Sequence, residues 1–297
     1  MRSETSVPNR SPRSGPTGLY HRVATGRVLT AAAIGIVTIL GGCGAPGAKI
    51  ESRVETPQEQ YAREGQRIAA DPVACLRRLK TRCDAMEQYQ LTFYRQERLG
   101  VVPQLTDMET IRARFRKTPF SVKFEWDDER MPFFESVYVA GQNDGKLLIR
   151  ERHGLLFMPP QVRILDADLP TKIGKAKNPI TSFGLAQVTS RSLEAFDDPK
   201  TAKVMTINYE GVVDLEPMHR PAHHLVVQRP PMPGYQYTRQ DFYIDAETLL
   251  PSGTDLWLKD GTLDARYRYT DVRKRTDFTD ADFRLDKDHP DGKKHTP

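Results

Sequence analysis

Leu263-Asp264-Ala265-Arg266-Tyr267-Arg268-Tyr269-Thr270-Asp271-Val272-Arg273 carries the period that decides the fold. Leu263, Ala265, Tyr267 and Tyr269 are apolar or aromatic, and Asp264, Arg266 and Arg268 between them are charged. In an extended chain successive side chains point to opposite faces. One face of this segment therefore seeks a core and the other water, the mark of an antiparallel sheet. The same period runs back through the chain. Tyr89, Leu91 and Phe93 alternate with Gln90, Thr92 and Tyr94; Ile111, Ala113 and Phe115 alternate with Arg112, Arg114 and Arg116; Val122, Phe124 and Trp126 alternate with Lys123 and Glu125. Further strands are expected over 204–209, 224–228, 240–245 and 254–258, with hairpin turns at Asn143-Asp144-Gly145 and Asp260-Gly261.

Helices precede and interrupt these strands. One is expected from about Gln58. A second starts at Asp71-Pro72, an N-cap followed by proline in the first turn. Leu76, Leu79, Cys83 and Met86 give it one apolar face, and Arg77, Arg78, Lys80 and Arg82 are expected in solvent. Cys75 and Cys83 fall in this helix, eight residues and so about 12 Å apart, beyond the roughly 7 Å reach of a disulfide. They read as buried thiols, with a disulfide across a broken helix as the alternative. Residues 179–196 carry a second helical pattern of Ile180, Phe183, Leu185, Val188, Leu193 and Phe196. A flat sheet of this length would leave its apolar face in water. Curling it around the helices solves that. The expected fold is α+β: one long meander forming a curved antiparallel β-sheet, an unclosed half-barrel, with helices on its concave side.

The first 27 residues hold Arg2, Arg10, Arg13, Arg22 and Arg27 against Glu4. The apolar run 28–40 that follows is shorter than the roughly 20 residues a spanning helix needs and suits the core of a signal peptide. Leu40-Gly41-Gly42-Cys43 then resembles the lipobox of bacterial lipoproteins, which implies cleavage before Cys43 and lipid attachment to it. An ordinary signal peptide or short anchor with an incidental cysteine is the alternative. Residues 1–42 are thus expected as a signal peptide and 43–57 as a lipidated tether, since Gly44, Pro46, Gly47 and Pro57 break structure. The half-barrel domain follows over 58–285, and 286–297 is expected as a disordered tail. The lipoprotein resemblance also implies a sorting rule: Gly44, rather than aspartate after the cysteine, favours the outer over the inner membrane of a two-membrane cell. The whole chain has 44 basic and 39 acidic residues. Five of the arginines and one glutamate lie in 1–42, so the remainder carries 39 and 38, and the basic balance gives no case for nucleic-acid binding.

Two resemblances extend this. Phe242 to Pro251, Asp260-Gly261, Tyr267 to Val272 and Asp282-Phe283 resemble the closing strands of LolA-like proteins, lipoprotein carriers and relatives with an unclosed barrel and a helical lid. Tyr89, Phe93, Gln96-Glu97-Arg98, Pro119 to Val122, Tyr138-Val139, Gly141 to Lys146 and Pro179-Ile180-Thr181 with Gly184-Leu185 are similar to the family called domain of unknown function 1571. The LolA-like resemblance implies a concave apolar face suited to acyl chains. It carries over as a type of surface, not as individual ligand residues.

Other chemistry is weakly signalled. There is no Gly-rich phosphate loop, nucleophile elbow, His-Glu-x-x-His helix or Cys-x-x-Cys pair. His219, His223 and His224 are the best metal candidates, yet Pro217 and Pro221 oppose a helix and adjacent strand residues point apart. Asp127-Asp128-Glu129 reads as a solvated loop, and Arg112, Arg114 and Arg116 as a wet outer face, with contact to anionic headgroups or cell-wall polymer as the sharper alternative. Residues 229–235 read as a packed connection or, alternatively, a membrane- or partner-touching loop. The candidate ligand-binding residues are Phe124, Trp126, Tyr267 and Tyr269, for which plain sheet-to-helix packing is an equal explanation. No catalytic residue, metal or cofactor is expected. The reading is an envelope lipoprotein, non-enzymatic, anchored to the membrane through Cys43 and holding an acyl chain or other hydrophobic ligand. The alternative is a structural or sensory module that binds an envelope protein partner and no small molecule.

Overall fold

The computed structural model describes residues 53–153, 159–233 and 235–285. The expected signal peptide, Cys43, the tether up to residue 52 and the tail from 286 lie outside the described residues. Helices α1 (Pro57–Ala70) and α2 (Pro72–Asp84) begin where the sequence places them. Thr56 and Glu59 cap α1 reciprocally: the Thr56 hydroxyl accepts from the Glu59 N–H, and the Glu59 carboxylate accepts from the Thr56 N–H. The Asp71 carboxylate accepts from the Ala74 N–H at 2.8 Å and caps α2. Because α2 is unbroken, Cys75 and Cys83 stay apart as buried free thiols.

Among the described residues twelve strands form one antiparallel sheet. They are β1 (Gln88–Leu99), β2 (Gln104–Leu105), β3 (Glu109–Arg116), β4 (Ser121–Trp126), β5 (Phe133–Val139), β6 (Lys146–Glu151), β7 (Val162–Asp166), β8 (Thr206–Leu215), β9 (Arg220–Gln228), β10 (Tyr237–Asp245), β11 (Pro251–Leu258) and β12 (Leu263–Arg275). Between β7 and β8 come α3 (Leu169–Lys172), a 3₁₀ turn (Ile180–Ser182), α4 (Leu185–Asp197) and α5 (Pro199–Ala202). The spatial order is β7-β6-β5-β4-β3-β1-β12-β11-β10-β9-β8, with β2 paired to β1 alone, so β7 and β8 are free ends and the sheet is unclosed.

This order corrects the single meander expected from sequence. There are two meanders, β3 to β7 and β8 to β12, and they meet at β1. The chain reaches one edge at β7, crosses with its helices, restarts at the opposite edge at β8, and returns until β12 pairs with β1. The helical pattern read over 179–196 is likewise divided. Gly184, at φ 139° and ψ 149°, breaks it, so α4 starts only at Leu185. Strands β8 and β9 run past the expected 204–209 and 224–228, because their mutual pairing continues to Leu215 and Arg220.

The apolar faces read by period two converge on one core. Tyr89, Leu91, Phe93, Ile111, Ala113, Phe115, Val122, Phe124, Trp126, Ala265, Tyr267 and Tyr269 are all buried in it, together with Leu76, Leu79 and Cys83 of α2 and Leu185 and Leu193 of α4. The turns expected at Asn143-Asp144-Gly145 and Asp260-Gly261 are present, the latter with Asp260 Oδ1 accepting from the Thr262 N–H at 3.0 Å, and a further turn follows β10. Asp245 Oδ1 accepts from the N–H groups of Glu247 and Thr248. Asn143, Asp144 and Gly145 all take positive φ, which suits these residue types. The convex face is less wet than expected. Arg116 is buried, paired with Asp280 at 2.9 Å and lying over the Phe283 ring at 4.8 Å, because residues 278–285 fold back onto β4 and β5. Arg112 and Arg114 remain nearer solvent and pair with Asp127 and Glu125.

One polar contact sets α4 on the sheet. The first N–H groups of a helix lack internal partners, and α4 has no side-chain cap of its own. The buried Tyr89 hydroxyl of β1 accepts from the Leu185 N–H at 2.9 Å instead. Gly184 permits the approach: a Cβ there would lie 3.2 Å from the Phe115 ring and 3.3 Å from the Tyr89 hydroxyl. Tyr89→Phe leaves a buried N–H without its acceptor, and the expected loss is about 1–3 kcal/mol, read as a lower urea midpoint. Gly184→Ala adds the strain of a glycine-only conformation, about 1–3 kcal/mol as well. The two losses should not be additive, because both act on the start of α4. Burial raises the pKa of Cys75 to about 11 and of Cys83 to about 12, so the reactive thiolate is scarce at neutral pH. In a Cys43→Ser chain, iodoacetamide at pH 8 should leave both thiols unmodified until denaturant is added, read by intact mass.

Candidate ligand-binding cavity

Between the concave face and the crossing segment lies a cavity of about 420 Å³, inside the range of about 300–1,000 Å³ for small-molecule pockets. The strands supply its floor. Phe93 comes from β1, Phe124 and Trp126 from β4, Leu147 and Ile149 from β6, Leu256 from β11, and Tyr267 and Tyr269 from β12. Ile180, Phe183 and Val188 supply its roof. Phe124, Trp126, Tyr267 and Tyr269, the four residues picked out by sequence, thus line one space.

The two readings of these aromatics both describe real contacts. Phe93 stacks on Tyr269 with centroids 5.4 Å apart and planes 5° from parallel. Phe183 meets Phe93 edge-on at 5.4 Å and Phe124 at 4.9 Å. Such ring pairs add about 0.5–1.5 kcal/mol each beyond the area they bury. The rings therefore pack sheet to lid and present their remaining surface to the cavity.

A polar group sits inside. Glu97 is 2% exposed. Its Oε1 accepts from the Tyr267 hydroxyl at 2.5 Å, and its Oε2 accepts from the Lys177 N–H at 3.1 Å. Burial, reinforced by the charge of Glu97, pushes the Tyr267 pKa well above its usual value, so the phenol stays a neutral donor. Asn178 donates to the same hydroxyl oxygen at 3.1 Å. Arg95 pairs with Glu109 at 2.6 Å. Period-two counting carried past Phe93 puts Arg95 and Glu97 on the concave face, so the sequence does carry a signal for them. Phe183 and Val188 fall in a helical pattern, and nothing in their spacing aims them at a cavity.

The exposed lining residues mark the mouth: Ile173, Lys175, Arg191, Gln228 and Arg239. No histidine, cysteine or aspartate occurs among the described residues of the wall, and Glu97 is its one carboxylate.

The other candidates lie elsewhere. His223 and His224 point to opposite faces of β9, as strand geometry requires. His223 Nδ1 meets the Tyr209 hydroxyl at 2.9 Å, and His224 Nε2 meets Asp241 Oδ1 at 3.0 Å. His219, in the turn before β9, pairs with Asp214 near the end of β8. Among the described residues no group of three or more His, Cys, Asp or Glu is arranged to hold a metal ion, and no helix is long and apolar enough to cross a membrane. Asp128 is bound by Arg130 in an exposed loop. In the loop 229–235, the Arg229 guanidinium lies 4.4 Å over the Tyr235 ring, and Pro230, Pro231, Pro233 and Tyr235 are exposed.

No curated protein matches this chain. Among solved structures, a DUF1329 family protein from Desulfovibrio piger is 9% identical, with 73% of this chain and 97% of the other covered at a TM-score of 0.35. The lipoprotein LppX of Mycobacterium tuberculosis is 11% identical over 70% and 98%, at 0.37. A LolA superfamily protein from Nitrosomonas europaea is 8% identical over 71% and 96%, at 0.26. At such scores the architecture stands on its own strand order and packing. Residues 86–293 match the family model described as a protein of unknown function, DUF1571. That match spans all twelve strands of the described residues, both walls of the cavity and the seam between β1 and β12, and the chain belongs to the DUF1571 family.

Proposed function

We propose that this protein is a non-enzymatic lipoprotein of the bacterial cell envelope that holds an acyl chain or another hydrophobic ligand in its half-barrel. Lipid on Cys43 tethers it facing the periplasm, with the outer membrane favoured. Phe124, Trp126, Tyr267 and Tyr269 belong to the aromatic part of the ligand wall. The observation that carries this is the cavity itself: about 420 Å³ left open under α4 and lined mainly by aromatic and aliphatic side chains. A sheet that only needed a core could fill this space with its own helix, since interiors elsewhere pack to crystal-like density. The tether over 43–57 is short, so the protein works beside its own membrane rather than as a diffusing shuttle.

Native mass spectrometry of protein prepared without detergent should show a bound lipid. Rebinding of saturated alkyl ligands should then tighten with length until the cavity is full. Each methylene contributes about 0.8 kcal/mol, roughly fourfold in affinity. Val188→Trp, which fills the roof side, should abolish that series. A cavity that takes up no ligand, together with capture of a specific envelope protein, would replace this reading with the interaction module. The anchor has its own test. A chain carrying Cys43→Ser should lose metabolic labelling by an alkyne-tagged fatty acid and move from the membrane to the soluble fraction. Labelling that survives the substitution would remove the anchor from the proposal.

A further inference from the structure

Cations crowd the wall of the cavity, and they are not all neutralised. Arg95, Lys175, Lys177, Arg191, Arg229 and Arg239 line it, against the single carboxylate of Glu97. Three of the six have acids of their own. Arg95 pairs with Glu109, Lys177 with Asp264 at 2.7 Å, and Arg239 with Asp241 at 2.8 Å. Among the described residues no carboxylate pairs with Lys175, Arg191 or Arg229.

Each of these three is placed to meet a ligand. Arg191, on α4, gives one N–H to Asn178 Oδ1 at 2.9 Å and another, more loosely, to the Ser182 carbonyl at 3.4 Å. A guanidinium has five N–H donors, so it keeps several to offer. Arg229 lines the same cavity from just beyond the end of β9. It is half-buried, donates to the Tyr237 carbonyl and rests on the Tyr235 ring. Burial pulls its pKa down, as expected of a cation short of counter-charge. Lys175 is exposed at the mouth, close in sequence to Ile173, an apolar side chain that is also exposed there. Glu97 forms no ion pair with any of the three; its oxygens accept instead from the Tyr267 hydroxyl and the Lys177 N–H.

We infer that the ligand is an anionic amphiphile, its hydrocarbon tail against Phe124, Trp126 and Ile149 and its phosphate or carboxylate head at the mouth between Arg191, Arg229 and Lys175. This rests on the reading of the cavity as a hydrophobic-ligand site and adds the sign and place of the head group. Guanidinium groups bind both carboxylate and phosphate through paired N–H donors, so the two head groups share one chemistry here.

The test uses the full chain and four probes below their micelle-forming concentrations: dodecyl phosphate, dodecyl maltoside, dodecyltrimethylammonium and inorganic phosphate. The three tails are equal, so differences report the head. Dodecyl phosphate should bind about tenfold or more tighter than dodecyl maltoside, and its advantage should shrink as salt is raised. Inorganic phosphate alone should bind far more weakly. The double variant Arg191→Gln with Arg229→Gln should lose the preference for the phosphate head over the maltoside head while still binding dodecyl maltoside, which also reports an intact fold. If that variant fails to fold, Lys175→Gln, at an exposed position with no structural role, should reduce the preference in part. Equal affinity for the phosphate and maltoside heads, a preference for the cationic head, or full preference in the folded arginine variant would overturn the inference and leave the hydrophobic site standing. Inorganic phosphate binding as tightly as dodecyl phosphate would overturn it in favour of a plain anion site. Failure of all three tailed probes to bind would remove the hydrophobic site as well.

Discussion

The pairing of β1 with β12 is the seam on which the rest of the molecule depends. Strands read more than 160 residues apart lie side by side, with Phe93 opposite Tyr269 and Arg95 opposite Tyr267. Without this pairing the two meanders would be separate sheets, each with an apolar face that no partner covers. With it, one curved surface is long enough to wrap the helices, and the concave aromatics from both halves fall into a single cluster. The register also matters. A slip of one residue would turn Tyr267 and Tyr269 outward and bring Arg268 and Thr270 in.

The chain then has to cross from the edge at β7 to the edge at β8, and that crossing makes the lid. It lies over the concave face because its own apolar residues, Ile180, Phe183, Leu185 and Leu193, need the same core as the sheet. The Tyr89 hydroxyl fixes where α4 starts, and Gly184 lets the two backbones come close enough for it to do so. The lid is thereby held at its N-terminal end while space remains beneath its middle. The cavity follows from that placement, with hydrocarbon-like walls beneath the lid and a basic mouth at its exposed rim.

The convex face shows how charge can be covered as well as solvated. Lys123 and Glu135 pair at 2.8 Å and are both nearly buried, as are Arg268 and Asp255 at 2.6 Å. Breaking a buried pair by removing one partner costs more than the pair itself contributes. These contacts therefore give the sheet's outer surface a definite arrangement of partners, and residues 278–285 complete it on one side by laying Phe278 and Phe283 against Val137 and Val139.

Much of this was legible in the order of residues. Period-two alternation placed Tyr89, Phe93, Phe124, Trp126, Tyr267 and Tyr269 on inward faces, since a strand offers only two faces and burial prefers the apolar one. Asp71-Pro72, Asp245 and Asp260-Gly261 fixed their turns locally through short hydrogen bonds. Periodicity, however, says which face is inward and not which strand lies alongside. The meeting of the two meanders at β1, the burial of Arg116 under Phe283 and the presence of Arg191 and Arg229 on the wall of one cavity were decided only by the tertiary structure. Each depends on pairings and packings between residues far apart in the chain, whose strength comes from the core they jointly bury rather than from any local pattern.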